Sequence, residues 1–229
     1  MPPLTRYRQP RDTAVNPATE MPRFLRSARS RLQAALLLAA AGLALSGCAL
    51  TRGNNPTVTY DLGPPAAATP GNGNPAPARL PKLRVAQTDG PNWLDGNALF
   101  YRLQYAQAQR LQAYATQRWV MSPTRLFDER LREAVAARGT LSWFGDSSVP
   151  ALKVDLIEFD QVFDSATTSA GVVRMRATVF QQGMLGQQTF EARRPAASAD
   201  GAGGVKALAE ASDAVITALL DWIGTLQLK

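Results

Sequence analysis

Two stretches of alternating side chains in the second half of the chain restrict its fold more than any other feature. From Ala151 to Phe163, Leu152, Val154 and Leu156 alternate with Lys153 and Asp155. From Val172 to Gln181, Val173, Met175, Ala177 and Val179 face one way, and Arg174, Arg176 and Thr178 the other. Period two over that length is the mark of a half-buried strand. The Ser- and Thr-rich segment 164–171 suits a hairpin turn, and Gly183–Gly186 turns again into a third strand, Gln187–Arg193. Such a meander excludes an all-helical fold, and its apolar face needs a cover. The C-terminal segment supplies one: Leu208, Val215, Ile216, Leu219, Ile223 and Leu226 recur at helical spacing, with Trp222 beside the stripe. The Asp200–Gly204 segment is expected to be a loop between sheet and helix.

The residues before the meander repeat the theme. Lys82–Gln87 reads as a strand with Leu83 and Val85 on one face, ended by Asp89-Gly90-Pro91-Asn92. Ala98–Tyr105 and Gln109–Trp119 fit period two about as well as period 3.6, and a β-hairpin is the reading adopted. Ser122-Pro123 opens a helix, with Ser as N-cap and Pro at the first helical position. Phe127, Leu131, Ala134 and Val135 then form its apolar side, and Gly139 follows Arg138 as a stop. The order is strands, helix, strands, helix. It predicts a single α/β (or α+β) domain over 82–229, a mixed sheet of about five to seven strands with two main helices.

Upstream the composition changes. Gly63–Pro81 holds six Pro and three Gly in nineteen residues, too little apolar surface for a core. It reads as a linker with a reach of about 60 Å if extended at ~3.1 Å per residue. Thr57–Leu62 before it alternates branched and aromatic residues and offers a first strand.

The N-terminal segment reads as an export signal. Residues 1–47 carry seven Arg against Asp12 and Glu20, so +5 of the formal +7 lies there and +2 remains for 48–229. The arginines precede an apolar run, Leu32–Leu45, broken only by Gln33. Fourteen residues at ~1.5 Å rise span about 21 Å, short of a ~30 Å hydrocarbon core, so a signal peptide fits and a membrane span does not. Met21 offers a second start, which makes 1–20 either an over-extended start or a long n-region. The run ends Leu45-Ser46-Gly47-Cys48, which resembles the lipobox of bacterial lipoproteins. That resemblance implies cleavage before Cys48, diacylglycerol on its thiol and an acyl chain on the new amino group. It makes 48–56 the lipidated N-terminus. The plainer alternative is a free Cys after an ordinary signal peptide.

Composition limits the chemistry. With no His and one Cys, a Ser-His-Asp triad, a His-ligated metal and an intramolecular disulfide are all excluded. Asp200–Lys206 is Gly-rich before a helix, but Val205 interrupts the Gly-Lys pair of a P-loop and Ala207 stands where Ser or Thr must hold Mg²⁺. Glu129 and Glu133 are interleaved with Arg125, Arg130 and Arg132, the pattern of a solvated helix face. Asp155, Glu158 and Asp160 are the other carboxylates that a glycosidase mechanism could use. Arg102, Arg110, Arg118, Arg125, Arg174 and Arg176 offer a basic surface for lipid head groups or an acidic partner, or ordinary solubilising charge. Trp93, Trp119 and Trp143, with Arg118, are candidates for a partner interface, since Trp is enriched at hot spots. Trp119, beside a helix start, suits the core as well.

The lipobox, the strand Val58-Thr59-Tyr60-Asp61-Leu62, and the run Leu99-Phe100-Tyr101-Arg102-Leu103, Leu111-Gln112-Ala113-Tyr114-Ala115, Arg118-Trp119 and Ser122-Pro123 ahead of helix Leu126–Arg138 resemble the ABC-type transport auxiliary lipoproteins. This is the family of paraquat-inducible protein C (PqiC-like). The resemblance covers about Thr57 to the C-terminus. It implies an outer-membrane lipoprotein facing the periplasm, not an enzyme, with no cofactor beyond its own lipid. The implied partner is the MCE-domain protein of an ABC system that carries phospholipid between membranes. Ala49 after the Cys is compatible with sorting to the outer membrane. A homo-oligomer stays open, and nucleic acid is not expected as a partner. Two other readings compete: an assembly factor or plug for an outer-membrane barrel, and a carboxylate-dependent peptidoglycan enzyme.

Overall fold

The computed structural model describes residues 56–65, 79–143 and 145–228. The expected signal peptide, Leu45, Ser46, Gly47, Cys48 and most of the 63–81 segment lie outside the described residues. The described chain runs β1 (Val58–Tyr60), β2 (Lys82–Val85), β3 (Ala98–Leu103), α1 (Gln104–Gln107), β4 (Leu111–Trp119), α2 (Pro123–Arg138), β5 (Thr140–Leu141), β6 (Ala151–Phe163), β7 (Ser169–Phe180), β8 (Met184–Pro195) and α3 (Gly201–Thr225). It is a single α/β domain built on one mixed, eight-stranded sheet.

Strand β6 is the spine. On one edge it pairs antiparallel with β7, and β7 with β8, which is the expected meander. Its other edge is shared between two parallel partners. β2 takes the start, Arg84 opposite Ala151, and β3 takes the end, Leu103 opposite Phe163. β5 lies beyond β2. Beyond β3 come β4, as the expected antiparallel hairpin, and then β1, parallel to β4. The sheet therefore has two ends. The lower one holds the starts of β2, β5 and β6 and the β7–β8 turn. The upper one holds the ends of β3 and β6, α1 and the start of β4.

A bulge in β6 decides what each face carries. The register shifts between Leu156 and Glu158. Leu152, Val154 and Leu156 face the core before it, and the extra residue puts Phe159, Gln161 and Phe163 on that same face after it. The core face continues through Val173, Met175, Ala177 and Val179 of β7, all buried. The helices close over it with Leu126, Phe127, Leu131 and Val135 of α2 and Leu208, Val215, Ile216, Leu219 and Ile223 of α3. Each fully buried Leu, Ile or Phe in this layer contributes about 1.5–3 kcal/mol. The opposite face, with Lys153, Asp155, Glu158, Arg174, Arg176 and Glu191, meets solvent.

Three local expectations are corrected, and one is borne out with its physical reason. Gly201–Gly204 is no loop but the first turn of α3, capped by Asp200, whose Oδ1 accepts from Gly203 N at 2.8 Å. The glycines are there for close approach: a Cβ on Gly201 would overlap Gln117, on Gly203 Ser198, and on Gly204 the Gln161 amide. Across this contact a Cβ on Gly171 of β7 would stand 2.5 Å from the α3 backbone at Ala207 and Leu208. Second, Ser122 occupies the N-cap position of α2 without capping it, its Oγ lying 3.0 Å from Thr124 Oγ1 instead. Third, Gly139 ends α2 as expected, in extended backbone, where a Cβ would meet Leu80 Cβ at 2.9 Å. Fourth, β7 begins at Ser169, inside the expected turn, because Ser169–Gly171 pair with 161–163 of β6.

Candidate functional site

Val58–Leu62 is built into the domain. Tyr60 O accepts from Val120 N at 2.8 Å, and Leu62 is buried. Arg130, on the inner side of α2 and 6 % exposed, donates from Nη2 to Leu62 O at 2.7 Å and sets its Nε 3.1 Å from Asp213 Oδ1 on α3. One guanidinium thus ties Leu62, two residues past β1, to both helices. On the far side of the Pro-rich segment, Leu80 is buried and its N–H donates to Arg138 O at 2.8 Å. The segment 63–81 therefore joins two strands of one sheet, and Leu80 near its end belongs to the core. α2 is fixed to β2 by a second contact set: Asp128 Oδ1 accepts from Thr88 N and Oγ1, and Arg132 donates to Val85 O.

Beside the Arg130 contact lies an open cleft of about 590 Å³, between the 59–64 segment and α3. Leu62, Val205 and Ala209 form its apolar wall, and Lys206, Glu210 and Asp213 its polar one. Under the first turn of α3 sits a buried polar hub. Gln161 accepts from Tyr114 Oη at 2.8 Å and donates to Ser169 Oγ at 2.7 Å and Asp200 O at 3.1 Å. Burial pushes the Tyr114 phenol above its ordinary range, with Tyr101 and Asp200 adding to the effect. The hub holds the helix start to the sheet, and its groups satisfy one another.

Of the acids singled out in the sequence, Asp155, Glu158 and Asp160 are ion-paired. Glu129 and Glu133 lie on the exposed side of α2. Asp155 faces Lys153 at 3.5 Å, and Glu158 faces Arg174 at 2.9 Å. Asp160, completely buried on the other side of β6 from Gln161, meets Arg102 Nε at 3.2 Å. Burial, then the neighbouring Glu158, raises Asp160 to about 6 against the pull of Arg102. Of the six arginines considered as a basic surface, Arg102 and Arg174 are committed to these pairs. Arg118 donates to the Tyr114 and Gln117 carbonyls, and Arg110 to Gln107 Oε1.

The tryptophans separate. Trp119, 1 % exposed, packs edge-on against Phe159 at 5.6 Å and belongs to the core, which withdraws it from the interface candidates. Trp93 is half-buried against Phe100, and Trp222 packs on Phe190. Trp143 alone stands out, at 78 % exposed, in the loop after β5. That loop meets the β7–β8 turn, since Gln181 Nε2 donates to Ser148 O at 2.6 Å. The same turn exposes Phe180, Met184 and Leu185. The lower end of the sheet thus carries four exposed large apolar residues. Met184-Leu185 beside Gly183, where turn residues are normally polar, was the sequence signal for it.

The described residues form one mixed sheet covered on one side by α2 and α3. The comparisons give the family. Residues 60–219 match the ABC-type transport auxiliary lipoprotein component family, and the chain belongs to it. Among solved structures, a Xanthomonas campestris protein of family DUF330 is 23 % identical, with a TM-score of 0.61 over 72 % of this chain and 94 % of that one. A second crystal structure, of an uncharacterized protein, is 17 % identical with a TM-score of 0.57, covering 73 % and 99 %. Both are similar to this chain in fold. Among curated proteins, none matches the sequence.

Proposed function

We propose that the protein is an outer-membrane lipoprotein, held on the periplasmic face by diacylglycerol and an N-acyl chain on Cys48. It serves as the docking subunit of an MCE-type ABC system that moves phospholipid between membranes. The observation that carries this reading is the family match over 60–219, an auxiliary lipoprotein component of ABC-type transport. The lipobox Leu45-Ser46-Gly47-Cys48 supports it by supplying the anchor.

In this reading no side chain does chemistry and no cofactor is needed. Two or more acyl chains make anchoring stable. Val58 lies ten positions after Cys48, at most about 35 Å of extended chain, so the domain stays close to the bilayer. Confinement raises the local concentration of docking sites, and modest contact affinity then suffices.

The test is purification of the tagged, full-length protein from detergent-solubilised membranes of its source. An MCE-domain protein with its ATPase and permease is the expected company. Recovery of an outer-membrane barrel in their place would favour an assembly factor, and loss of a peptidoglycan-cleaving activity on Asp160→Asn would favour an enzyme.

A further inference from the structure

We infer that the cleft between the 59–64 segment and α3 binds an extended peptide segment of a partner protein. The segment adds as a further strand on the free edge of β1, with apolar residues toward α3 and basic residues at the rim. This goes beyond the docking role proposed above and does not depend on it.

The backbone of β1 carries the first part. Among the described residues β1 pairs with β4 alone and ends the sheet. Tyr60 lies opposite Trp119 in parallel register, and its carbonyl accepts from Val120 N at 2.8 Å. In such a ladder one residue turns its N–H and C=O to one side and the next turns them to the other. Val58 and Tyr60 thus face β4, and Thr59 presents its pair to the open edge. Asp61, the next of that outward set, makes no backbone hydrogen bond among the described residues. Thr59 and Asp61 are exposed, and both line the cleft. Two N–H and C=O pairs about 6.8 Å apart are what an extended peptide backbone matches.

The opposite wall carries the second part. α3 faces this edge with Val205 and Ala209, and Val120 beside them is 56 % exposed. A strand laid along β1 turns every second side chain toward that wall, so alternate apolar residues fit it. The rim adds charge complementarity. Asp213 is held by Arg130, whereas Asp61, Glu210 and Lys206 form no ion pair among the described residues. Two acids against one lysine favour basic residues on the peptide. The cleft, about 590 Å³, lies within the ~300–1,000 Å³ usual for ligand sites. An acyl chain would meet the apolar wall but leave both backbone pairs unused. An edge strand beside a helix gives affinity through the main chain and selection through the side chains.

The test uses the full-length protein in detergent micelles and a labelled, end-capped peptide, Lys-Val-Lys-Val-Lys, followed by fluorescence anisotropy. Saturable binding is expected. Two copies of the peptide are compared, one N-methylated at the Val amides and one at the Lys amides. The copy whose methyl groups face β1 should bind about tenfold or more weakly, as two lost hydrogen bonds imply, and the other should bind like the parent. Thr59→Pro removes the outward N–H without costing a ladder bond. It should keep the wild-type melting temperature and weaken binding about tenfold; if it melts early, the two peptide copies decide. A photo-reactive residue at position 209 should capture the peptide. The assignment is overturned by no saturable binding, by equal affinity of the two copies, or by unchanged binding to a folded Thr59→Pro chain. Capture of detergent or of this chain itself from position 209, in place of the peptide, overturns it too. None of these results bears on the docking role, which the co-purification tests separately.

Discussion

Arg130 on α2 donates a 2.7 Å hydrogen bond to the carbonyl of Leu62, the residue two past the end of β1. That contact, buried and shared with Asp213, makes a three-residue strand part of the domain. A strand so short has few ladder bonds of its own and depends on what holds its exit. Arg130→Ala should cost about 3 kcal/mol, because it leaves a buried carbonyl and a carboxylate facing the space of a lost cation. Chemical denaturation measures this. The loss should be accompanied by faster proteolysis in the 56–65 region.

The glycines give a paired comparison. Gly171→Ala puts a methyl against the α3 backbone, which cannot move aside as a side-chain tip can. It should destabilise by about 2–3 kcal/mol as an overpacking change. Gly224→Ala, in the same helix with nothing within 4 Å of the new Cβ, should gain about 0.5–1 kcal/mol from helix propensity. Thermal melts of the two variants should move in opposite directions.

Asp160 predicts a pH dependence of unusual sign. Its carboxyl is raised in the fold to about 6 by burial and by Glu158. The folded state therefore holds the proton more tightly than the unfolded chain, with its ordinary pKa near 3.9. Stability from this group is fully present below about pH 4 and is lost as pH rises to about 6, by on the order of 1–3 kcal/mol. Asp160→Asn should flatten that slope in denaturation curves taken across pH 4–7.

Much of this fold was legible in the sequence, where the pattern is repetitive. Leu152, Val154 and Leu156 against Lys153 and Asp155 placed β6, and the Val215–Leu219–Ile223 stripe placed α3. The misses have a common cause: a distant partner overrode a local signal. Gly201–Gly204 looked like a loop because glycine weakens helices, yet close packing on Gln117 and Gln161 required glycine in a helical turn. Nothing local shows that Leu62, just before the 63–81 segment, and Leu80, near its end, are both core. The bulge after Leu156, which puts Gln161 rather than Asp160 on the helix-covered face, left no mark in the composition. Arg130 looked like one more solvated charge on α2.

The anchor has its own check. Cys48→Ser should move the protein from the membrane to the soluble fraction and abolish labelling with a fatty acid, with the folded domain intact by circular dichroism.

The most direct test of the central claim is detergent resistance of the outer membrane in cells lacking the protein, complemented with either wild-type or Cys48→Ser chain. A lipid-anchored docking subunit predicts that deletion lowers resistance, that the wild type restores it, and that Cys48→Ser does not. Unchanged resistance on deletion, or full rescue by Cys48→Ser, would contradict it.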